Sequence, residues 1–495
     1  MGSYTSKDLF RKIVDFIKDL AKKTEKTIDC LIPSRFRDSI ALEKIQPHAK
    51  AIRPKEYISR FRLEENQNYA YKEGMSETRK MELLSPGGSI EKIRTAFTYG
   101  ADSVYFGLKD FSLRTNAKNV EYGTQDELRD IKKRFGGKYY CTVNIYFHED
   151  DITKLQGKLD EIADYPFDAF ILSDIGILDI LRSRFPNAEY SLSTQASCIN
   201  SRSAKIYHDM GFRKVIVGRE TPLKDIRKIK DAVPDLEIEA FVHGAMCMAY
   251  SGRCFLSSHL AGRSGNYGDC AHTCRWNYRL ALEEQERPGR YYPVLEENEW
   301  TTIMSSKDLC MIDHLKDLRD AGVDALKIEG RMKSVYYVAS VTRAYRKALD
   351  HLYDPSVEYK PYRDELFNVS HREYSTGFFF GRGPIDVDEA DPLVNMEDDI
   401  NKPTTDGYLR DYLFLGTIGK QVKPGIYEVD IKNQIRNGEA IEFIGPDVLF
   451  IKDDSVSVLD QDFTPIDHLD HCRSGYIRTD APLEEGYIIR KEIRL

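Results

Sequence analysis

The sequence predicts an α/β protein: a (β/α)8 TIM-like barrel with a cysteine-bearing insertion between its seventh and eighth strands, followed by a small antiparallel β-barrel domain. Three observations carry this reading. Eight short apolar runs alternate with amphipathic segments between residues 81 and 330. About 80 residues separate the last two of those runs, where a barrel connection usually needs far fewer. After about residue 406, helical spacing gives way to strand-like runs punctuated by turn residues.

Residues 1–74 read as an N-terminal helical extension and linker. In "TSKDLFRKIVDFIKDLAKK", Leu9, Ile13, Ile17 and Leu20 recur at helical spacing behind a Ser/Thr cap. "LEENQNYAYKEG" (63–74) has the composition of a linker. The barrel is expected over 75–355, with its insertion at about 245–322. A linker is expected at 356–405 and the β domain at 406–495.

The first strand is "MELLSP", ended by Pro-Gly-Gly, and "SIEKIRTAFTYGA" follows with helical spacing. The next strands are "DSVYFG", "YYCTVNIYF", "AFILSD", "AEYSLST", "KVIVGRE" and "EIEAFVHG", and "ALKIEG" is the eighth. Runs apolar on both faces, alternating with amphipathic helices, mean parallel strands covered by crossovers. An open doubly wound sheet is the alternative, but "SPGGS" lacks the G-x-G-x-x-G spacing of a dinucleotide site. Beyond the last barrel helix, "YLFLGTIG", "GIYEVDI", "EAIEFIG" and "YIIRKEIRL" alternate with the turns "KPG" and "RNGEA". Small β-barrels of this kind often offer a groove to oligonucleotides.

Composition narrows the function. The net charge is −8, with 16 Lys+Arg against 11 Asp+Glu in residues 1–74, so the rest of the chain is acidic. Bulk, sequence-independent nucleic-acid binding is therefore not indicated, although a local basic groove is compatible. No apolar run approaches the roughly 18–20 residues of a membrane span. No cleavable leader pattern opens the chain, and an odd cysteine number argues against a disulfide framework. The expectation is a cytoplasmic protein with reduced thiols.

Four of the nine cysteines, Cys247, Cys254, Cys270 and Cys274, fall within 28 residues at the start of the insertion. Loops after barrel strands sit on the catalytic face. Packing does not explain thiols set among Gly, Ser and Arg in a loop. Cys30, Cys141, Cys198 and Cys472 read as ordinary structural cysteines. The C-x6-C and C-x3-C spacing is loose for a zinc knuckle and tolerable for an iron–sulfur cluster; zinc and a metal-free arrangement stay open. A cysteine nucleophile also stays open, because His243, His259 and His272 are near in sequence. Polar residues at strand ends supply catalytic candidates in Asn144, Gln195, His243 and Glu329. Glu220 is a further pocket candidate. Arg219 and Arg331 are candidates for binding an anionic substrate, because a guanidinium fork matches carboxylates.

"EAFVHGAMCMAYSGRCFLS" (239–257) resembles the signature of the peptidase U32 family, with Glu239, Phe241, Gly244, Ala245, Met246, Cys247, Gly252, Cys254, Leu256 and Ser257 in its positions. The resemblance runs through "GDCAHTCRWNY", "SSKDLC" and "LKIEGRMKS" and covers roughly 75–495. It implies several properties. The family name implies a protease, and some members are described as collagenases. Other members are oxygen-independent hydroxylases of RNA bases or of ubiquinone precursors, with a [4Fe–4S] cluster on four cysteines. This chain looks most like the members concerned with tRNA hydroxylation to 5-hydroxyuridine at the wobble position, for which prephenate is the implied oxygen source. Related members act on rRNA. Carried over, the ligands are Cys247, Cys254, Cys270 and Cys274, with Cys310 as the alternative fourth. The readings that compete are a peptidase and an accessory RNA-binding iron–sulfur factor.

Overall fold

The computed structural model describes residues 80–113, 120–247, 249–276, 281–283, 291–293, 306–381, 409–471 and 473–493. These belong to one structural unit, Arg79–Leu495. The helix and linker expected within residues 1–74, together with Cys30 and Cys472, lie outside the described residues.

Seven strands run parallel in chain order: β1 (Glu82–Pro86), β2 (Ser103–Phe106), β3 (Lys138–Val143), β4 (Ala169–Leu172), β5 (Glu189–Leu192), β6 (Lys214–Ile216) and β7 (Glu237–Ala245). A hairpin of β8 (Ala281–Glu283) and β9 (Tyr291–Pro293) follows, then β10 (Asp308–Cys310) and β11 (Ala325–Ile328). Leu326 of β11 lies opposite both Leu83 of β1 and Ala240 of β7, in parallel register. This double pairing closes an eight-stranded barrel and excludes the open sheet. All eight expected strands are present. Their apolar side chains are buried from both sides, and crossover helices cover the outside. Ser89, Asn200 and Ser334 each accept a hydrogen bond from a backbone N–H three residues on, which starts three of those helices where the sequence turns from polar to apolar.

Strand β7 has nine residues, against three to six for the other barrel strands, because its end serves a second partner. β10, inside the insertion, pairs antiparallel with it, Leu309 opposite Gly244 and Cys310 opposite His243. β12 (Tyr374–Ser375) then pairs parallel with β10. The stretch expected as a linker at 356–405 is therefore built partly into the barrel body. It supplies the helix Lys360–Asp364 as well as β12. A buried pair between Arg372 and Asp308, 2.7 Å, holds this corner.

The barrel interior carries charge. Lys327 Nζ donates to Glu239 Oε1 at 2.7 Å and sits 4.0 Å from the Tyr105 ring centre. Lys214 Nζ donates to Glu82 Oε2 at 2.6 Å and to Tyr140 Oη at 3.0 Å, with Glu239 at 3.6 Å. Burial opposes both ammonium charges. At Lys214, Glu239 and Glu82 outweigh it and hold the pKa above the ordinary lysine range; at Lys327 burial wins and the pKa is lowered.

The C-terminal region is an antiparallel curled sheet. It comprises β13 (Tyr412–Lys423), β14 (Ile426–Ile431), β15 (Ile435–Arg436), β16 (Ile441–Ile444), β17 (Ile451–Asp453), β18 (Ser457–Leu459), β19 (His468–Leu469), β20 (Tyr476–Arg478) and β21 (Ile488–Glu492). Seven strands lie in the order β17-β16-β21-β13-β14-β20-β18, and β15 pairs with β19 in a separate ribbon. Among the described residues no pairing joins β17 to β18, so the expected β-barrel is a curled sheet rather than a closed cylinder. Buried arginines weld it to the barrel. Arg490 binds Glu442 within the sheet, and Glu365 and the Tyr336 hydroxyl outside it. Arg343, on the helix Val335–Tyr353, donates to the carbonyls of Gly445 and Val448 at 2.7 Å.

Replacing Glu239 with Ala strands Lys327 in the barrel interior. The expected cost is about 3–5 kcal/mol, read from urea unfolding. The double variant Glu239→Leu/Lys327→Met removes both charges and is expected to recover much of that loss.

Candidate thiol site at the barrel mouth

The insertion leaves β7 at Ala245 and turns back over the C-terminal end of the barrel. Cys247 lies two residues past β7 and Cys254 just before the helix Leu256–Ala261. Cys270 follows the turn Gly265–Tyr267, and Cys274 sits in the turn Thr273–Arg275. The first loop is pinned to the mouth. Ser251 donates from N–H and Oγ to the Glu220 carboxylate, at 3.3 and 3.0 Å, and its carbonyl accepts from the Ser197 hydroxyl. Gly252 adopts φ 71°, and a Cβ there would meet the Gln195 carbonyl at 2.1 Å, so no side chain fits. Asn266 Nδ2 donates to the Cys254 carbonyl at 3.0 Å, and Ala271 N–H to Ser257 Oγ at 2.8 Å. Tyr267 Oη reaches Asp151 at 2.7 Å.

All four cysteines are free thiols. Burial pushes the Cys274 thiol up, Arg275 pulls it down, and charge on Cys247, Cys270 and Cys254 pushes it up again. Cys274 thus lies within the field of the other three sulfurs. Two sulfurs receive donors: Arg219 Nη1 approaches Cys247 Sγ at 3.8 Å, and His272 N–H approaches Cys270 Sγ at 3.4 Å. Among the described residues, no three His, Cys, Asp or Glu side chains close on one point as a single metal ion requires. Cys310 stands in other surroundings. Burial pushes its thiol up to about 11, and its electrostatic neighbours are Tyr345, Asp313 and Arg363. It lines a cavity of about 190 Å3 with Asp313, His314, Arg363 and Phe367.

The remaining candidates divide. Arg219, Glu220 and Gln195 come to the thiol loop. Arg219 packs its guanidinium 4.1 Å from the Phe241 ring centre as it approaches Cys247. Gln195 accepts from Tyr146 Oη through its carbonyl at 2.7 Å, while its side-chain Oε1 is buried without a hydrogen-bond partner. Asn144, at the end of β3, accepts from Leu113 N–H through Oδ1 at 3.1 Å. Arg331 is buried, and its Nη1 donates to Ser112 Oγ at 2.7 Å, the Leu113 carbonyl at 2.8 Å and Thr142 Oγ1 at 3.3 Å. Glu329 donates its N–H to the His243 carbonyl and accepts from Tyr337 Oη through its own.

His243 leaves the mouth altogether. The β7–β11 register shifts between Lys327, opposite Phe241, and Ile328, opposite His243. The resulting bulge breaks the alternation and sends the imidazole into a box of Tyr337, Tyr345 and Tyr374 rings. Burial pushes its pKa down to about 3, with Asp308 opposing and Lys333 and His371 assisting.

Residues 88–388 match peptidase family U32, and residues 410–490 match the peptidase family U32 C-terminal domain. The chain belongs to peptidase family U32. This U32 protein is 35% identical over 398 residues to the tRNA hydroxylation protein P1 of Bacillus subtilis, covering 80% of this chain and 90% of that one. It is 38% identical over 271 residues to the 23S rRNA 5-hydroxycytidine C2501 synthase of Escherichia coli, covering 55% of this chain and 39% of that one. It is also 31% identical over 316 residues to a collagenase of Porphyromonas gingivalis, covering 61% and 74%. The anchors Ser251, Ser197 and Tyr146 were missed from sequence. The small-residue turn "SGRC" around Gly252 was the available signal of close approach to the barrel.

His243 gives a pH signature. An unfolded histidine titrates near 6.5, whereas here the folded state resists the proton until about 3. The unfolded chain therefore binds the proton first, and this contribution to stability falls as pH drops from 6.5 towards 3. His243→Phe is expected to lose less stability than the unchanged protein across that window, measured as urea midpoints at successive pH values.

Proposed function

We propose that this U32 protein hydroxylates RNA without molecular oxygen, acting on the wobble uridine of tRNA to give 5-hydroxyuridine, with an iron–sulfur cluster as cofactor and prephenate as oxygen source. The observation that carries the proposal is the group of four free thiols gathered over the barrel mouth. The substrate is supported by the relatives named for tRNA hydroxylation and rRNA 5-hydroxycytidine synthesis.

The residues present fit a [4Fe–4S] group. Four free thiols on one hydrogen-bonded loop, with N–H groups approaching two of the sulfurs, suit such a group. The C-x6-C and C-x3-C spacing is looser than a zinc knuckle uses and is compatible with a polynuclear cluster. Cys247, Cys254, Cys270 and Cys274 are the assigned ligands, and Cys310, in its separate cavity, is not. When bound, the group supplies one-electron redox chemistry.

The chain's own residues do the rest. Glu220, Ser251 and Ser197 hold the thiol loop against the mouth. Arg219, beside Cys247, is placed to bind the carboxylate of an anionic co-substrate. Arg331 acts by fixing residues 112–113, in the connection after β2, against Thr142 of β3. The buried Gln195 Oε1 is an acceptor available to a base edge.

Two measurements test this reading. Nucleoside mass spectrometry of total tRNA and rRNA, with and without the gene, is expected to show loss of 5-hydroxyuridine or its derivatives from tRNA. An unchanged nucleoside profile, with hydrolysis of a collagen substrate by the purified protein, would favour the peptidase reading. An unchanged profile with a cluster present would favour an accessory factor. Separately, Ala at 247, 254, 270 or 274 is expected to deplete iron and sulfide in anaerobically purified protein, whereas Cys310→Ala keeps both. Retained iron in Cys274→Ala with loss in Cys310→Ala would reassign the fourth ligand.

A further inference from the structure

Each of the four cysteines has an exposed aromatic ring within three residues. Tyr250 follows Cys247, Phe255 follows Cys254, Tyr267 precedes Cys270 and Trp276 follows Cys274. Their exposures are 50%, 74%, 38% and 45%. Arg275 donates to the Met246 carbonyl, Asn266 to the Cys254 carbonyl and Ala271 N–H to Ser257 Oγ, so the segments that carry the four cysteines, and the rings next to them in sequence, are drawn into one folded loop. An exposed phenylalanine ring has no polar atom to satisfy in water, and Phe255 is the most exposed of the large apolar side chains in the described residues. Leu260, on the helix that Phe255 opens, adds a further exposed apolar side chain. Several large apolar side chains exposed on one short loop are the composition of a contact site.

The charge of the same stretch differs from that of the chain. Residues 246–276 hold Arg253, Arg263 and Arg275 against one carboxylate, Asp269, in a protein of net charge −8. Arg263 is paired with Asp269 at 2.8 Å, and Arg275 donates to the Met246 carbonyl at 3.3 Å. Arg253 is exposed beside Phe255.

We infer that Tyr250, Phe255, Tyr267 and Trp276 form a stacking collar around the thiols, on which unpaired bases flanking the target nucleotide are laid, with Arg253 meeting the phosphate backbone. The inference rests on the RNA-hydroxylase reading and adds the surface by which the RNA is held. A flat ring offers every base a face, so such a collar grips single-stranded RNA with little sequence preference, and an adjacent cation follows the backbone. The location favours RNA over a protein partner. The rings surround the place where the reacting base must arrive, and a protein seated on them would cover it. Tyr267 is tethered, its hydroxyl donating to Asp151 in the first turn of the helix Glu149–Gln156.

The test uses the full chain, purified anaerobically and matched for iron content, with unmodified tRNA and fluorescence anisotropy at several salt concentrations. Phe255→Ala and Trp276→Ala are each expected to weaken tRNA binding about tenfold, in line with the loss of one stacked base. Phe255→Tyr is expected to restore it. Ile206→Ala, which trims an equally exposed side chain on an outer helix, is expected to change nothing. Arg253→Ala is expected to flatten the dependence of affinity on salt by about one phosphate contact. Native affinity in both Phe255→Ala and Trp276→Ala overturns the collar. Native affinity with lost turnover also overturns it, and assigns the rings to a protein partner such as an electron donor. If the unchanged protein binds no tRNA and the tRNA nucleosides do not depend on the gene, the functional reading fails and the collar with it. If the nucleosides do depend on the gene while the rings are dispensable, only the collar fails.

Discussion

The architecture depends on how β7 ends. Its first residues pair with β6 and β11 and complete the barrel; its last residues pair with β10 and lead directly to Cys247. One strand therefore bears both the closure of the scaffold and the start of the thiol loop. The bulge between these two duties decides which side chains serve each. Phe241 stays inside, beneath Arg219, while His243 is turned out into a tyrosine box where it remains neutral. A loop that starts from a strand hydrogen-bonded on both edges has its first residues, Cys247 among them, held with little freedom to drift.

Charge plays two different structural parts. Inside the barrel, Glu82, Lys214, Glu239 and Lys327 replace the branched aliphatic layers that usually fill such a fold. Each is paired, so the desolvation cost of one is met by the field of another, and the set specifies the interior by complementarity rather than by volume. Between the barrel and the C-terminal sheet, Arg490 and Arg343 do the joining. Each donates to groups on the opposite side of the junction, and both are buried. The sheet is thus an extension of the barrel's own packing. Any RNA affinity it has would act from a fixed position.

Much of this was legible in sequence, and the limits are instructive. The barrel strands could be read because each lies in an apolar run of the alternating strand–helix pattern, from the three residues of β6 to the nine of β7. β10 and β12, of three and two residues, fall in the insertion and in the stretch expected as a linker, where that alternation is interrupted. The grouping of Cys247, Cys254, Cys270 and Cys274 was visible in spacing, whereas the hydrogen bonds that fold their loop, from Arg275 to Met246 and from Asn266 to Cys254, were not. The direction of His243 was hidden because strict alternation from Glu239 and Phe241 points it inward, and only a bulge reverses that. Arg331 read as a rim residue, yet its guanidinium Nη1 lies against Ser112, Leu113 and Thr142, contacts that no local pattern announces. The weld by Arg490 likewise joins residues more than a hundred positions apart.

The closing strand has a consequence for the order in which the molecule is made. β11 is synthesised after the whole insertion, and its partner β1 lies at the opposite end of the barrel sequence, with Glu82 opposite Ala325. A contact of such long range is slow to form, and a chain emerging from the ribosome must wait for it. The four cysteines have by then already been translated on a sheet that is still open along one edge. The thiols can consequently be reached on two occasions: during translation, from the unsealed side, and afterwards, through the finished mouth. The first is available once in the life of each molecule; the second persists.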